Sequence, residues 1–194
     1  DAAERCQALV WEKNGDYLKA ARYWRRKKQY GKMVELWKKG RAYGELASHF
    51  QKKKEYGQAA HFFGLDKDPA NEASCLFKLK EYGKAADKYL EAKEYAQALN
   101  LYKKLKDWSH MEQCMRELKD YHGLGMLFEK QKEYEQAYAA FHTYVELSPE
   151  HRRILGKELE QLSAKPRQQL KLAVRLAALG RVGEAANIFM EKGK

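Results

Sequence analysis

The chain has 194 residues, 44% hydrophobic and 34% charged, and its 38 lysines and arginines outnumber 27 aspartates and glutamates for a net charge of +11. That apolar content is too high for a disordered polyelectrolyte. No apolar run approaches the roughly 18 residues of a membrane-spanning helix, and no charged-then-apolar leader is visible, so neither membrane insertion nor secretion is expected.

From Ala3 to Val145 the sequence divides into eleven consecutive blocks of thirteen residues without an insertion. The first, AERCQALVWEKNG, is the weakest: Glu4 stands where later blocks have an aromatic, and only Ala8, Val10 and Trp11 keep an apolar stripe. Each later block opens on a polar or small residue. An aromatic follows at Tyr17, Tyr30, Tyr43, Tyr56, Tyr82, Tyr95, Trp108, Tyr121 and Tyr134, with Pro69 the one exception. Small or apolar residues come three places after that aromatic, and a large apolar residue seven places after it, as in Tyr89, Tyr102, Met115, Phe128 and Phe141. Offsets of three, four and seven lie on one face of an α-helix, so each block predicts one amphipathic helix of about ten or eleven residues and a tight turn. Such a unit cannot bury its stripe alone and must stack on its neighbours.

Charge follows the same frame. Asp16, Glu55, Asp68, Glu81, Glu94, Asp107, Asp120 and Glu133 open their units, while Lys28, Lys54, Lys67, Lys80, Lys93, Lys106, Lys119 and Lys132 close theirs. Acids at helix starts and bases at helix ends complement the helix dipole. Asp68-Pro69 fits as an N-cap acid followed by proline at the first helical position. Gly31, Gly44, Gly57 and Gly83 share the third place of their units and predict close approach between helices. The frame lapses after Val145. Ser148-Pro149-Glu150 starts a helix running to Ser163 on a stripe of Ile154, Leu155, Leu159 and Leu162, and Pro166 starts another that ends at Gly180. Both are longer than a unit, so a bend or a change of stacking is expected. RVGEAANIFMEKG, residues 181–193, is again a unit, with Val182, Ala185, Ala186 and Phe189 as its stripe.

The motif of acid, tyrosine, two residues, two alanines, two residues and a large aromatic resembles the helices of tetratricopeptide-like α-solenoids. It resembles especially the short-helix kind in vesicle-coat and intraflagellar-transport subunits, and is similar also to helical repeats beside superfamily 1 helicase modules. The resemblance implies an all-α, right-handed solenoid of antiparallel short helices, with 26-residue helical hairpins in place of the family's usual thirty-four. Three segments are expected: an array over 3–145, an irregular longer-helix segment over 146–180 that continues it, and a last repeat-like helix over 181–194. The family's closing glycine survives only at Gly15, Gly180 and Gly193. Elsewhere lysine must take a left-handed conformation at some cost, or the turn must be of another kind.

Little in the sequence points to chemistry. Six histidines are scattered without metal-ligand spacing, there is no Gly-rich phosphate loop, and the carboxylates sit on helix starts, so no catalytic, cofactor or metal site is expected. Cys6, Cys75 and Cys114 are odd in number and far apart, which predicts buried thiols in a reducing compartment and an intracellular, cytoplasmic protein. Residues 1–67 carry 16 basic and 8 acidic residues. Arg22, Arg25, Arg26, Lys27 and Lys28 and then Lys52, Lys53 and Lys54 end units two helices apart, which places them on one edge as a candidate contact for phosphate or acidic segments. Tyr23 and Phe62, beside these clusters, are expected to be consumed by interhelix packing. The expected function is a non-catalytic scaffold for protein–protein interaction or assembly, as part of a longer protein. The alternative is a basic, nucleic-acid-contacting arm of a helicase- or nuclease-type protein.

Overall fold

A left-handed residue at the end of each unit makes the thirteen-residue period possible. The computed structural model describes residues 2–163 and 168–192. Its positive-φ residues are Gly15, Lys28, Arg41, Lys54, Lys67, Lys80, Lys93, Lys106, Lys119, Lys132 and Gly180. From Gly15 to Lys132 they recur every thirteen residues. At Lys28 the backbone N–H donates to the Arg25 carbonyl (3.0 Å), and the Gln29 N–H donates to the Trp24 carbonyl (3.0 Å). Those paired bonds define a Schellman turn. The same pair recurs at Lys93 and Glu94, onto Leu90 (3.0 Å) and Tyr89 (2.8 Å). In every such turn the acceptor of the longer-range bond is the backbone carbonyl of the unit's ninth residue, the place that carries a large apolar side chain. Lysine in place of glycine leaves a Cβ strain of about 1–2 kcal/mol at each turn. A cation near the helix C-terminus offsets part of it, by about 0.3–1 kcal/mol.

Between these turns lie α1 (Ala2–Lys13), α2 (Tyr17–Arg26), α3 (Tyr30–Lys39), α4 (Tyr43–Lys52), α5 (Tyr56–Leu65), α6 (Pro69–Lys78), α7 (Tyr82–Glu91), α8 (Tyr95–Leu105), α9 (Trp108–Glu117), α10 (Tyr121–Gln131) and α11 (Tyr134–Leu147). They are followed by α12 (Pro149–Ser163), α13 (Gln169–Ala178) and α14 (Val182–Lys192). No strand occurs among the described residues. The residue after each left-handed one is both the end of a turn and the N-cap of the next helix. Where it is aspartate its carboxylate can accept from the N–H three residues on: from Asn71 to Asp68 at 3.1 Å, His110 to Asp107 at 3.2 Å and Gly123 to Asp120 at 2.8 Å. Glu55, Glu81 and Glu133 make no such bond. Their extra methylene carries the carboxylate past the N–H, and only the dipole interaction remains. Asp16 pairs with Lys19 instead (3.1 Å).

The chain forms two compact units, Asp1–Leu101 and Tyr102–Lys194, with the boundary inside α8. In the first, α1 to α7 pack in chain order, each on the next. End-to-start contacts make successive helices antiparallel: Lys27 meets Glu4 at 3.8 Å, and the Tyr43 ring stacks on Phe62. Alanine pairs at the fifth and sixth places (Ala20 and Ala21, Ala59 and Ala60, Ala85 and Ala86) are buried, as are Trp24, Trp37, Phe50 and Phe63 at the ninth. Small residues bring the helix backbones close and the large ones fill the space left between. In the second unit α9, α10 and α11 continue this order, and α11 then contacts both α12 and α13. At the α10–α11 contact, a Cβ on buried Gly125 would come within 2.6 Å of the Phe141 ring.

Several expectations need correction. A Cβ on Gly31, Gly57 or Gly83 would meet nothing within 4 Å, so the third place of those units faces outward and marks no close approach, whereas on Gly44 it would come within 2.6 Å of the Asp66 carboxylate. Cys75 and Cys114 are buried, but Cys6 is exposed because α1 has a helix on one side only. For the same reason Val10 is exposed. Of the stripe of the last unit, Val182, Ala186 and Phe189 are exposed and Ala185 is buried, since α14 packs mainly against α13. Ile154 also lies outside the core of α12. The described part of α13 is ten residues long, no longer than a repeat helix. Pro166 and Gly193 lie outside the described residues.

Candidate functional site

The eight basic residues singled out by the sequence are all exposed, but they do not form one equivalent set. Arg22, Arg25 and Arg26 stand on the last two turns of α2, and with Lys19 and Trp11 they line a cleft of about 380 Å³. Arg22 also borders a larger open hollow of about 580 Å³ between α2, α4, the end of α5 and the start of α6, with Tyr43, Gln51 and Asp66 among its walls. Lys27 lies 3.8 Å from Glu4 and 5.6 Å from the Tyr23 ring centre. Lys28 and Lys54 hold the left-handed turn positions. Lys52 and Lys53 sit beside His49. Burial of that imidazole, then the charge of Lys53 and, more weakly, of Lys52, hold it below its ordinary value against the opposing pull of Glu55. Tyr23 is buried edge-on against Trp24, and Phe62 stacks on Phe50 at 5.5 Å, so both are consumed by packing.

A different surface emerges on the second unit. Trp108 at the start of α9 and Met126 on α10 are exposed, and they border a groove of about 380 Å³ whose floor is Met111, Met115 and Leu127. Lys103 and Lys130 stand on its rim, with the Lys130 ammonium 5.9 Å from the Trp108 ring centre. Sequence reasoning assigned Trp108 and Met115 to the repeat stripe and passed over Met126. The signal was present, because a methionine occupies a place that the preceding units from Arg22 to Gln113 fill with polar residues.

The second unit also holds a buried ionic cluster that sequence reasoning missed. Arg175 on α13 and Glu129 at the end of α10 are both nearly inaccessible. The Arg175 guanidinium donates from Nε and Nη2 to the two Glu129 oxygens at 2.9 and 3.0 Å, and from Nη1 to Glu158 at 2.5 Å. The His122 Nε2 is 3.0 Å from the same Glu158 carboxylate, and the guanidinium lies 4.9 Å from the Phe141 ring centre. Nearby, burial and then the charges of Glu158, Asp120 and Glu150 push the Tyr144 hydroxyl up. The bidentate Glu129 pair and the added Glu158 engage all three guanidinium nitrogens, so the cluster ties α10, α12 and α13 together around a nearly inaccessible arginine. Among the described residues no three His, Cys, Asp or Glu side chains are placed to hold a metal ion. Burial pushes the Cys75 and Cys114 thiols up, as befits packed side chains and not nucleophiles.

No helix among the described residues is long and apolar enough to cross a membrane. No protein-family model matches the chain, and no curated protein matches it in sequence.

Proposed function

We propose that this chain is a non-catalytic helical-repeat scaffold of the tetratricopeptide-like kind, which binds protein partners inside the cell as part of a larger assembly. The observation that carries this reading is the groove of Trp108, Met111, Met115, Met126 and Leu127. It leaves an aromatic and a methionine partly in water beside an apolar floor, with two lysines on its rim. Surface of that kind is costly to leave bare and fits a protein partner. The test replaces Met126 with a photo-crosslinking amino acid in cells, with Asn100, at the same place of an earlier unit, as the control. A partner identified from the Met126 adduct is then purified and titrated against the wild-type chain and against Trp108→Tyr/Met126→Ser. Binding that the double substitution leaves unchanged would refute the reading.

A second reading is favoured by the cleft of Trp11, Lys19, Arg22, Arg25 and Arg26. Guanidinium forks suit phosphate and an indole ring suits a stacked base, so this end of the first unit is the place for single-stranded nucleic acid. Micromolar binding of a labelled oligonucleotide, falling steeply with salt and lost in Arg25→Glu/Arg26→Glu, would establish it over the first.

A further inference from the structure

The groove on the second unit is where the repeat departs from itself twice. The second place of a unit is tyrosine from Tyr17 to Tyr134, except for Pro69 and Trp108. The seventh place is polar in every unit from Arg22 to Gln113, and then becomes Met126. Units with tyrosine and a polar residue at these places fold in the same frame, so folding does not require the exchange. Both departures face the same groove, and both side chains are about two-fifths exposed, Trp108 at 39% and Met126 at 42%. The floor adds Met111 and Met115, which brings three of the five methionines of the chain to one surface. Methionine is the side chain that adapts most readily to an incoming apolar face.

The chemistry of the walls restricts what can lie there. An extended peptide would bring a row of backbone N–H and C=O groups onto Met111, Met115 and Leu127, which offer no hydrogen bond. The one carboxylate at the groove, Asp120, already accepts the Gly123 N–H at 2.8 Å. A helix satisfies its own backbone and can present only side chains. On the rim, Lys103 and Lys130 are exposed, and among the described residues neither has a carboxylate partner. Cations at the rim of an apolar groove select acidic residues beside the apolar stripe of the incoming segment. Resting on the protein-binding reading above, we propose that this groove receives an amphipathic helix of a partner protein, with large apolar residues one turn apart and glutamates or aspartates flanking them. The apolar anchors enter beside Trp108 and Met126, and the acids meet Lys103 and Lys130.

The experiment uses the full chain labelled with ¹³C at its methionine methyls, which gives one signal for each of five residues. Three probes are titrated: a stapled helix of about 18 residues with leucine and phenylalanine at i, i+4 and i+7 and glutamate on the flanks, the same helix with lysine for glutamate, and a proline-containing extended peptide of the first composition. The expected result is that the acidic helix moves Met111, Met115 and Met126 and leaves Met33 and Met190 in place. The lysine helix should bind at least about tenfold more weakly. Trp108→Tyr/Met126→Ser, which restores residue types the repeat uses elsewhere, should weaken the acidic helix by about tenfold or more. Urea unfolding of that variant, followed by circular dichroism, reports whether its fold is intact. Movement of the three groove methyls by the lysine helix or the extended peptide, with none by the acidic helix, overturns the proposed partner but keeps the protein-binding reading. Methyl shifts that depend on protein concentration without any peptide assign the groove to a second copy of the chain and overturn it too. No response of these methyls to any probe, together with a partner from the crosslinking experiment that binds regardless of Trp108 and Met126, overturns both.

Discussion

Position 93 offers a direct test of the repeat turn, because the Cβ of Lys93 is held at φ +60 and no ion pair among the described residues confuses the outcome. Alanine and glycine there differ only in that Cβ, both lacking the ammonium that interacts with the dipole of α7. Glycine removes a strain of about 1–2 kcal/mol. Its greater freedom in the unfolded chain takes back about 0.5–1 kcal/mol. Lys93→Gly should therefore be more stable than Lys93→Ala by about 0.5–1 kcal/mol. At Gln97, exposed inside α8 four residues later, the order should reverse, with Gln97→Ala above Gln97→Gly by about 1 kcal/mol. Urea unfolding followed by circular dichroism measures all four variants. Hydrogen exchange at the Lys93 and Glu94 amides, the donors of that turn, shows whether the change is local, as nearest-neighbour coupling in a repeat array requires. If alanine proved the more stable residue at both positions, the left-handed turn would not be what sets the thirteen-residue period.

The ionic cluster predicts a large loss for Arg175→Met, about 3–5 kcal/mol in urea unfolding, because it strands the buried Glu129 carboxylate. Adding Glu129→Leu should recover much of that loss, and a double variant no more stable than the single one would contradict the pairing. The Asp107 carboxyl is held below its ordinary value chiefly by the His110 backbone N–H and then by the His110 ring. A depressed folded-state value means that the cap stabilises fully above the unfolded carboxylate range and fades as pH falls through the lower folded one. The stability gap between wild type and Asp107→Ala, about 1 kcal/mol at pH 7, should then narrow by pH 3, and a constant gap would rule out the cap as its source.

How much of this fold was legible depends on how local the information is. The turn positions from Gly15 to Lys132 were readable because each unit repeats the same short-range bonds, and a helix that packs on its chain neighbour needs no distant contact to set its register. Lysine at the closing place gave the position of the turn but not its conformation, since the residue that best tolerates φ > 0 is glycine. The third-place glycines misled for a related reason. Their regular spacing looked like a packing rule, yet the second residue of these helices faces outward, and nothing approaches Gly31, Gly57 or Gly83. At the ends of the array the stripe itself was legible but its burial was not. Val10 and Phe189 have the right periodicity and remain exposed because burial belongs to the neighbouring helix and not to the stripe.

The sites were less legible because they join residues far apart in the chain. Arg175, set among Ala173, Val174, Leu176 and Ala177, announces that a charge in an apolar stripe needs a partner. The partners lie 46 and 17 residues earlier, and no period connects them. A repeat nevertheless supplies its own reference, since each place is sampled again in every unit and a residue that departs from its place is one that folding did not demand. Among the eight basic candidates, Lys27 and Lys53 fill helix C-caps and Lys28 and Lys54 fill the left-handed place, so the frame already accounts for them. Arg22, Arg25 and Arg26 have no such duty and border a cleft with Trp11. Trp108 and Met126 go further, because two departures eighteen residues apart meet in one groove. Coincidence of departures in space, not density of charge along the chain, is therefore the ground on which the groove is proposed as a binding surface and the lysine runs are assigned to helix punctuation.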